Sequence, residues 1–243
     1  MTDAGEPGQS LIDEALFRPV RSGNAFEDTV ARLLQTIRLG IVAPGDALPS
    51  ERELAVRFSV SRDTVREAIK ELADAGYLVS RRGRYGGTFV SDSLPQVVSV
   101  PVAPLDPAEI DDVLGLREIL EGGAARAAAR RALSAADRES LWGWLTDTAA
   151  AGPEDYRRLD SRLHLAIAEL AGTPSLVSLV ADSRSRVNDL LDRIPLLAPN
   201  IAHSNQQHEA IVDAILRGDE DAASAAMLEH LAGSAALLRG FLA

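Results

Sequence analysis

Residues 48–90 leave this chain the least conformational freedom. The stretch begins LPSERELAVRFSVSRDTVREAIKELADAGYL and closes VSRRGRYGGTFV. Ser50 and Glu53 stand three apart, the spacing of a capping box, which predicts a helix opening there and ending near Phe58. After Ser59 and Val60, Ser61 caps a second helix that runs to Ala75 and stops at Gly76. Val65, Ile69 and Leu72 form its inner stripe, while Arg62, Arg66 and Lys70 recur every four residues on an outward face. Residues 77–81 and 88–91 alternate as short strands, joined by a glycine-rich turn over 82–87. The string reads as two helices at an angle followed by a two-stranded ribbon.

That arrangement suits a nucleic-acid groove. A helix enters the major groove by its N-terminal turn, where short polar side chains and arginines reach base edges and free amides meet phosphates. Ser61, Arg62, Asp63, Thr64 and Arg66 lie in that turn. Asp63 either accepts from a cytosine amino group or orients Arg66. Arg52 is placed to hold a phosphate, and Arg82 with Gly83 puts the ribbon tip against the backbone or minor groove. An amphipathic helix with ordinary surface arginines is the plainer alternative. The net charge of −11 argues against a polyanion partner until it is divided. Residues 21–91 carry eleven basic and nine acidic side chains, about +2, and the remainder carries fourteen against twenty-seven, about −13. DNA contact is therefore expected only in the first third.

Residues 26–91 resemble the winged helix-turn-helix of the GntR family of bacterial repressors. The resemblance rests on residues 48–55, on 60–68, and on Leu72, Gly76 and residues 83–90. It implies Arg52, Arg62, Thr64, Arg66 and Gly83 as DNA contacts.

Four regions follow from the punctuation. Residues 1–22 show no periodicity and read as a mobile arm. Residues 23–91 form the head, whose first helix spans about 26–39 on the stripe Val30, Leu33, Leu34 and Ile37. Residues 92–106 hold three prolines and no stripe, and read as a linker. Asp106 and Pro107 then open an all-α antiparallel bundle over 107–243, with helices expected at 107–131, 135–149, 154–171, 175–194, 203–217 and 219–241. The fold class expected is mainly α, a winged helix-turn-helix of three helices and a two-stranded wing followed by that bundle. No cysteine is present, so disulfides and thiolate chemistry are excluded, and a reducing cytoplasm is the compatible setting. No signal peptide or membrane span is expected.

The bundle carries a second pattern. Asp160 and His164 are four apart on the inward face of Leu163 and Ile167. His208 shares a face with Ile211, Val212 and Ile215, and His230 with Ala226, Ser234 and Leu237. His203 lies roughly opposite His208 and is set aside. An inward carboxylate and three inward imidazoles are costly unless paired. One divalent ion would satisfy all four, zinc first, with nickel, manganese or iron also suited; core hydrogen bonds are the alternative.

Residues 107–241 resemble the all-helical FCD effector domain of the FadR-like branch of that family, and six helices resemble its VanR-like subgroup. Asp160-x-x-x-His164, His208 ahead of residues 214–219, and His230 in the last helix match its metal-binding positions. The resemblance implies a small carboxylate effector on the metal. Arg117 lies on the stripe of Ile110, Leu114 and Ala124, and Arg184 and Asn188 on that of Val177, Val180, Val187 and Leu191. These three are effector-binding candidates; the alternative pairs Arg117 with Glu121, and Arg184 with Asp182 or the helix of Asp160. The reading is a ligand-responsive repressor acting as a homodimer on double-stranded operator DNA, without enzymatic activity or membrane attachment. A metal sensor in which the ion is the signal stays open, as does a metal-dependent hydrolase, although no inward general base stands out. The aminotransferase-like branch is excluded, because the only lysine, Lys70, lies in the recognition helix.

Overall fold

A computed structural model describes residues 11–17, 19, 25–83, 86–95, 106–194, 196 and 198–242, the side chains of Glu14 and Ala198 excepted. The chain forms two compact units, Met1–Pro95 and Gln96–Ala243.

The first unit holds α1 (Leu11–Leu16), α2 (Ala25–Arg38), α3 (Glu51–Phe58), α4 (Arg62–Asp74), β1 (Leu78–Arg81) and β2 (Gly87–Val90). Leu33 and Ile37 of α2 meet Leu54 and Phe58 of α3, Val65, Ile69 and Leu72 of α4, and Leu78 and Val90 of the ribbon. The strands are antiparallel, with Leu78 opposite Val90 and Arg81 opposite Gly87. Residues 45–48 add a short edge beside β2, through Leu48 N–H donating to Thr88 O at 2.8 Å.

Three expectations are corrected. The mobile arm assigned to 1–22 includes α1: Ile12, Leu16 and Phe17 are buried, and Phe17 stacks on Phe58 with centroids 5.7 Å apart. Residues 1–10 and 20–22 lie outside the described residues, as do most of the linker and Arg84 and Tyr85 at the wing tip. The capping box at Ser50 is half formed. Ser50 accepts from Glu53 N–H at 3.3 Å, but the Glu53 carboxylate turns to Arg57 at 2.5 Å, one helical turn on.

The second unit carries, among the described residues, α5 (Pro107–Arg130), α6 (Ala135–Ala149), α7 (Tyr156–Leu170), α8 (Pro174–Leu191), α9 (Ala198–Arg217) and α10 (Glu220–Leu242). Helix α5 is central and packs against α7, α8, α9 and α10. Its alanine-rich stretch makes that possible: Ala124, Ala125, Ala128 and Ala129 are all buried, and a Cβ on Gly122 would lie 2.8 Å from Leu228 Cδ2 of α10. Small side chains thus bring α5 and α10 close. The third correction is to α9, which begins at Ala198 and not at 203. Pro199 sits in the first turn, where a missing N–H costs nothing.

Candidate functional site

In the head, Ser61, Arg62, Asp63, Thr64 and Arg66 come together in the first turn of α4. Ser61 caps α4, accepting from Thr64 N–H at 3.0 Å, and the two hydroxyls are 2.8 Å apart. Asp63 orients Arg66 rather than standing free, with Nη1 3.0 Å from its Oδ1. Glu51, which the sequence reading did not single out, completes this hold. It lies 3.2 Å from Arg66 and 3.9 Å from Arg62, so α3 aims the arginines of α4. Ser59 adopts a left-handed φ of 56° in the turn between them. Arg52, Ser61, Arg62, Asp63 and Arg66 are exposed, with Thr64 partly so. Arg82 and Gly83 are exposed at the end of β1, and Gly83 takes a φ of 109° with open space around it.

In the helical unit, Asp160, His164, His208 and His230 converge from α7, α9 and α10. All four are buried, and one ligand atom from each lies within 4.8 Å of the others. Asp160 Oδ1 is 3.3 Å from His208 Nε2 and 3.7 Å from His164 Nε2. His230 Nδ1 is 3.3 Å from Gln207 Oε1, which leaves its Nε2 for other work.

Glu121 is the residue that sequence reasoning placed only as a partner of Arg117. It does accept from Arg117 Nε at 3.0 Å. Its other oxygen abuts His164 Nδ1 without hydrogen-bond geometry. Its signal was its place on the inward stripe of α5, one turn beyond Arg117. Arg184 Nη2 donates to Asp160 Oδ2 and to Ser161 Oγ, the latter at 3.2 Å, and Asn188 donates to Ser161 Oγ at 2.9 Å. Arg117 reaches Ser234 with Nη1 at 2.8 Å.

Burial opposes ionisation of Asp160, but Arg184, His164 and His208 outweigh it and hold the carboxyl well below the usual range. Burial likewise opposes Glu121, and His164, Arg117 and Arg184 hold it low. Burial pushes His164 down, and burial together with His208 and His164 pushes His230 well down. Both shifts favour the neutral imidazole of His164 and of His230, the form that carries a lone pair for a metal.

These residues fit a divalent ion. Both ring nitrogens of His164 and of His208 are buried without a hydrogen-bond partner. Core contacts with Glu121 and Asp160 therefore leave these two imidazoles without well-formed hydrogen bonds. Three nitrogens and one carboxylate oxygen make a donor set suited to zinc and its neighbours. Two ligand atoms bonded at about 2.1 Å stand at most about 4.2 Å apart, so the group closes slightly at its widest.

A cavity of about 360 Å³ opens beside this group, reached by Asp160, His230, Arg117, Ser234, Gln207 and Tyr156. Arg117 lines it while paired with Glu121, the alternative the sequence offered, and bonded to Ser234. Arg184 and Asn188 do not line that cavity; they are spent on Asp160 and Ser161, and hold α7 in place. His203, set aside as a ligand, is exposed and lines the cavity.

Residues 26–90 match the family model described as bacterial regulatory proteins, gntR family, and residues 112–233 match the FCD domain. A provisionally named L-lactate dehydrogenase operon regulatory protein of Escherichia coli is 33% identical over 225 residues, covering 88% of this chain and 84% of its own length. The galactonate operon transcriptional repressor of Escherichia coli is 30% identical, covering 89% and 97%. The transcriptional regulator LutR of Bacillus subtilis is 29% identical, covering 84% and 97%. A solved structure described as E. coli McbR/YncC shares the fold with a TM-score of 0.57 at 18% identity, over 89% of this chain and 97% of that one.

Proposed function

The chain belongs to the GntR family of bacterial regulatory proteins and carries an FCD domain, and from that premise we propose that it is a repressor released from operator DNA by a small carboxylate bound beside a metal ion. That it is a DNA-binding transcriptional regulator and not an enzyme follows from the family itself. Arg62, Arg66, Thr64 and Ser61 are the proposed base-reading group, aimed by Asp63 and Glu51, and Arg52, Arg82 and Gly83 the proposed backbone contacts.

The observation that carries the effector reading is the buried Asp160, His164, His208 and His230 group opening on a cavity that Arg117 enters. Those four residues would hold the ion, with Gln207 orienting His230 and the Glu121 carboxylate packed against His164. A bound divalent ion would supply a positive Lewis-acid centre for a carboxylate oxygen. Arg117 would bind the acid's other oxygen. Two relatives are named for lactate dehydrogenase and galactonate operons, and both compounds are 2-hydroxy acids, which supports an acid of that kind.

A homodimer is proposed for the working state, since two-fold operators match two-fold proteins. Leu116 and Ile119 of α5 and Leu179 of α8, two helices packed together, expose apolar side chains that a second copy would cover, Ile119 being 74% exposed. No described helix is long and apolar enough to cross a membrane, and a cytoplasmic setting is proposed with the DNA partner.

The test is fluorescence anisotropy on a binding site selected from random duplexes, with chelated protein, with zinc, and with zinc plus 2-hydroxy acids. An acid that weakens binding only when metal is present supports the proposal. A change with metal alone, and none with any acid, assigns the chain to metal sensing. No response to either overturns both readings.

A further inference from the structure

Three of the five helices around the cavity share one spacing. Leu191 of α8, Ile201 of α9 and Leu237 of α10 all line it. Each stands seven residues from a member of the buried polar cluster: Arg184, His208 and His230 respectively. Seven residues are two helical turns, about 10 Å along the axis. Three helices therefore each carry a polar group at one level and a leucine or isoleucine about 10 Å away. All three apolar residues line one cavity, away from the polar cluster, with Asn200, His203 and Ser204 of α9 near Ile201. Leu191 and Leu237 also pack against the apolar cluster of Ile110, Leu114, Val187 and Leu190, which makes that end continuous with the core. The nearest cation there, Arg157, is already committed. Its guanidinium donates to Leu191 O at 2.5 Å and lies 3.2 Å from Asp192.

A cavity of about 360 Å³ is also larger than a three-carbon acid needs. Lactate would occupy the polar end and leave the leucine-lined end to water. A polyhydroxy acid such as galactonate would find partners in Asn200, His203 and Ser204 of α9, but hydroxyls set against Leu191 and Leu237 would lose theirs, which is unfavourable.

We propose that the effector is an amphipathic monocarboxylic acid, with its acid head at Arg117 and the Asp160–His230 end and an apolar body of about six carbons against Leu191, Ile201 and Leu237. This rests on the carboxylate reading above and adds the class of acid. Specificity then comes from burial of methylenes, which strengthens binding about fourfold for each one removed from water.

The experiment is calorimetric titration of the full-length, zinc-loaded protein with lactate, 2-hydroxybutanoate, 2-hydroxyhexanoate and 2-hydroxyoctanoate, and with galactonate as the polar comparison. Affinity is expected to rise along the series, reaching at least a hundredfold between lactate and 2-hydroxyoctanoate. Leu237→Asn and, separately, Ile201→Asn are expected to flatten that rise while leaving lactate affinity within about twofold. Equal affinity for all chain lengths, or preference for galactonate, overturns the amphipathic class while leaving the carboxylate reading standing. Binding of no acid at any length overturns the carboxylate reading itself. The wild-type series decides the matter alone if either variant fails to fold.

Discussion

Replacing His208 by alanine separates a metal centre from a polar core. Both ring nitrogens of His208 are buried without a hydrogen-bond partner. In metal-free protein, truncation removes a poorly satisfied imidazole, worth about 1–3 kcal/mol of relief. It also leaves a cavity that costs about 2–4 kcal/mol. The two effects oppose each other, so the metal-free melting temperature is expected to change little. The response to zinc should change a great deal. With zinc at a hundred times its Kd, the wild-type fold gains about 2.7 kcal/mol. For a domain of about 150 residues that is a rise of about 5–11 °C. His208→Ala lacks one of four donors, and its rise at the same zinc concentration should fall below about 2 °C. Differential scanning calorimetry after chelation, then with zinc restored, reads both quantities. The chain has two compact units, so the transition of the helical unit is the one to follow. His203→Ala, at an exposed position, should keep the full rise. An undiminished zinc response in His208→Ala, or loss of it in both variants, would refute the assignment of the ligands.

Other perturbations reach the remaining parts. Arg184→Met strands the buried Asp160 carboxylate and should cost about 3–5 kcal/mol in urea unfolding, whereas Arg186→Ala breaks an exposed pair with Asp112 and should cost under about 1 kcal/mol; equal losses would sink the distinction. Glu121→Gln should weaken zinc binding about 10–100-fold in competition with a chromophoric chelator, and unchanged affinity would remove Glu121 from the site. Burial pushes His164 and His230 below ordinary imidazole values, so below about pH 6.5 the unfolded chain binds more protons than the fold. The stability of chelated protein should therefore be full above that pH and decline on acidification, with a second loss below about pH 4 as Asp160 and Glu121 lose their depressed-pKa advantage; a flat denaturation profile from pH 7.5 to 5 is the contrary result. Arg66→Ala should cost about 1–3 kcal/mol on a selected site and relax specificity there, while Arg82→Ala should weaken all duplexes alike and lower the salt slope by about one.

The head was legible because its signals are local. Ser61 caps α4 within one turn of itself, and Gly76 and Gly83 take the positive φ values that mark stops and turns. Helix α1 carried no such signal. Six residues have no helical stability alone; α1 is held by burial of Ile12 and Leu16 and, one residue past its end, by Phe17 on Phe58, a partner some forty positions away that no window of sequence displays. The Ser50 box failed for a local reason: Arg57 competes for Glu53 one turn on. In the bundle, Asp160 and His164 declared themselves by their spacing, and His208 and His230 by their stripes. Glu121 did not, because Arg117 at i−4 already accounts for it. Its contact with His164 joins α5 to α7 and is a product of the tertiary fold. The same limit hid the fate of Arg184 and Asn188, which face inward as their stripe requires but are consumed by Asp160 and Ser161 before reaching the cavity.

The charges of the site connect its two proposed ligands. Asp160 and Glu121 are balanced by Arg117 and Arg184, so the buried carboxylates and guanidiniums together have no formal net charge. Such a group gives an incoming carboxylate little long-range attraction. A divalent ion would change that by two charges in an interior where screening is weak. The acid should then bind more tightly to metal-loaded protein. By linkage the acid must raise metal affinity by the same factor. The apolar end of the cavity plays no part in that factor, because Leu191, Ile201 and Leu237 carry no charge. Lengthening the acid should thus strengthen its binding with metal and without it in equal proportion, leaving the coupling between the two ligands unchanged. The metal would set whether an acid is accepted, and the leucine-lined end would set which one.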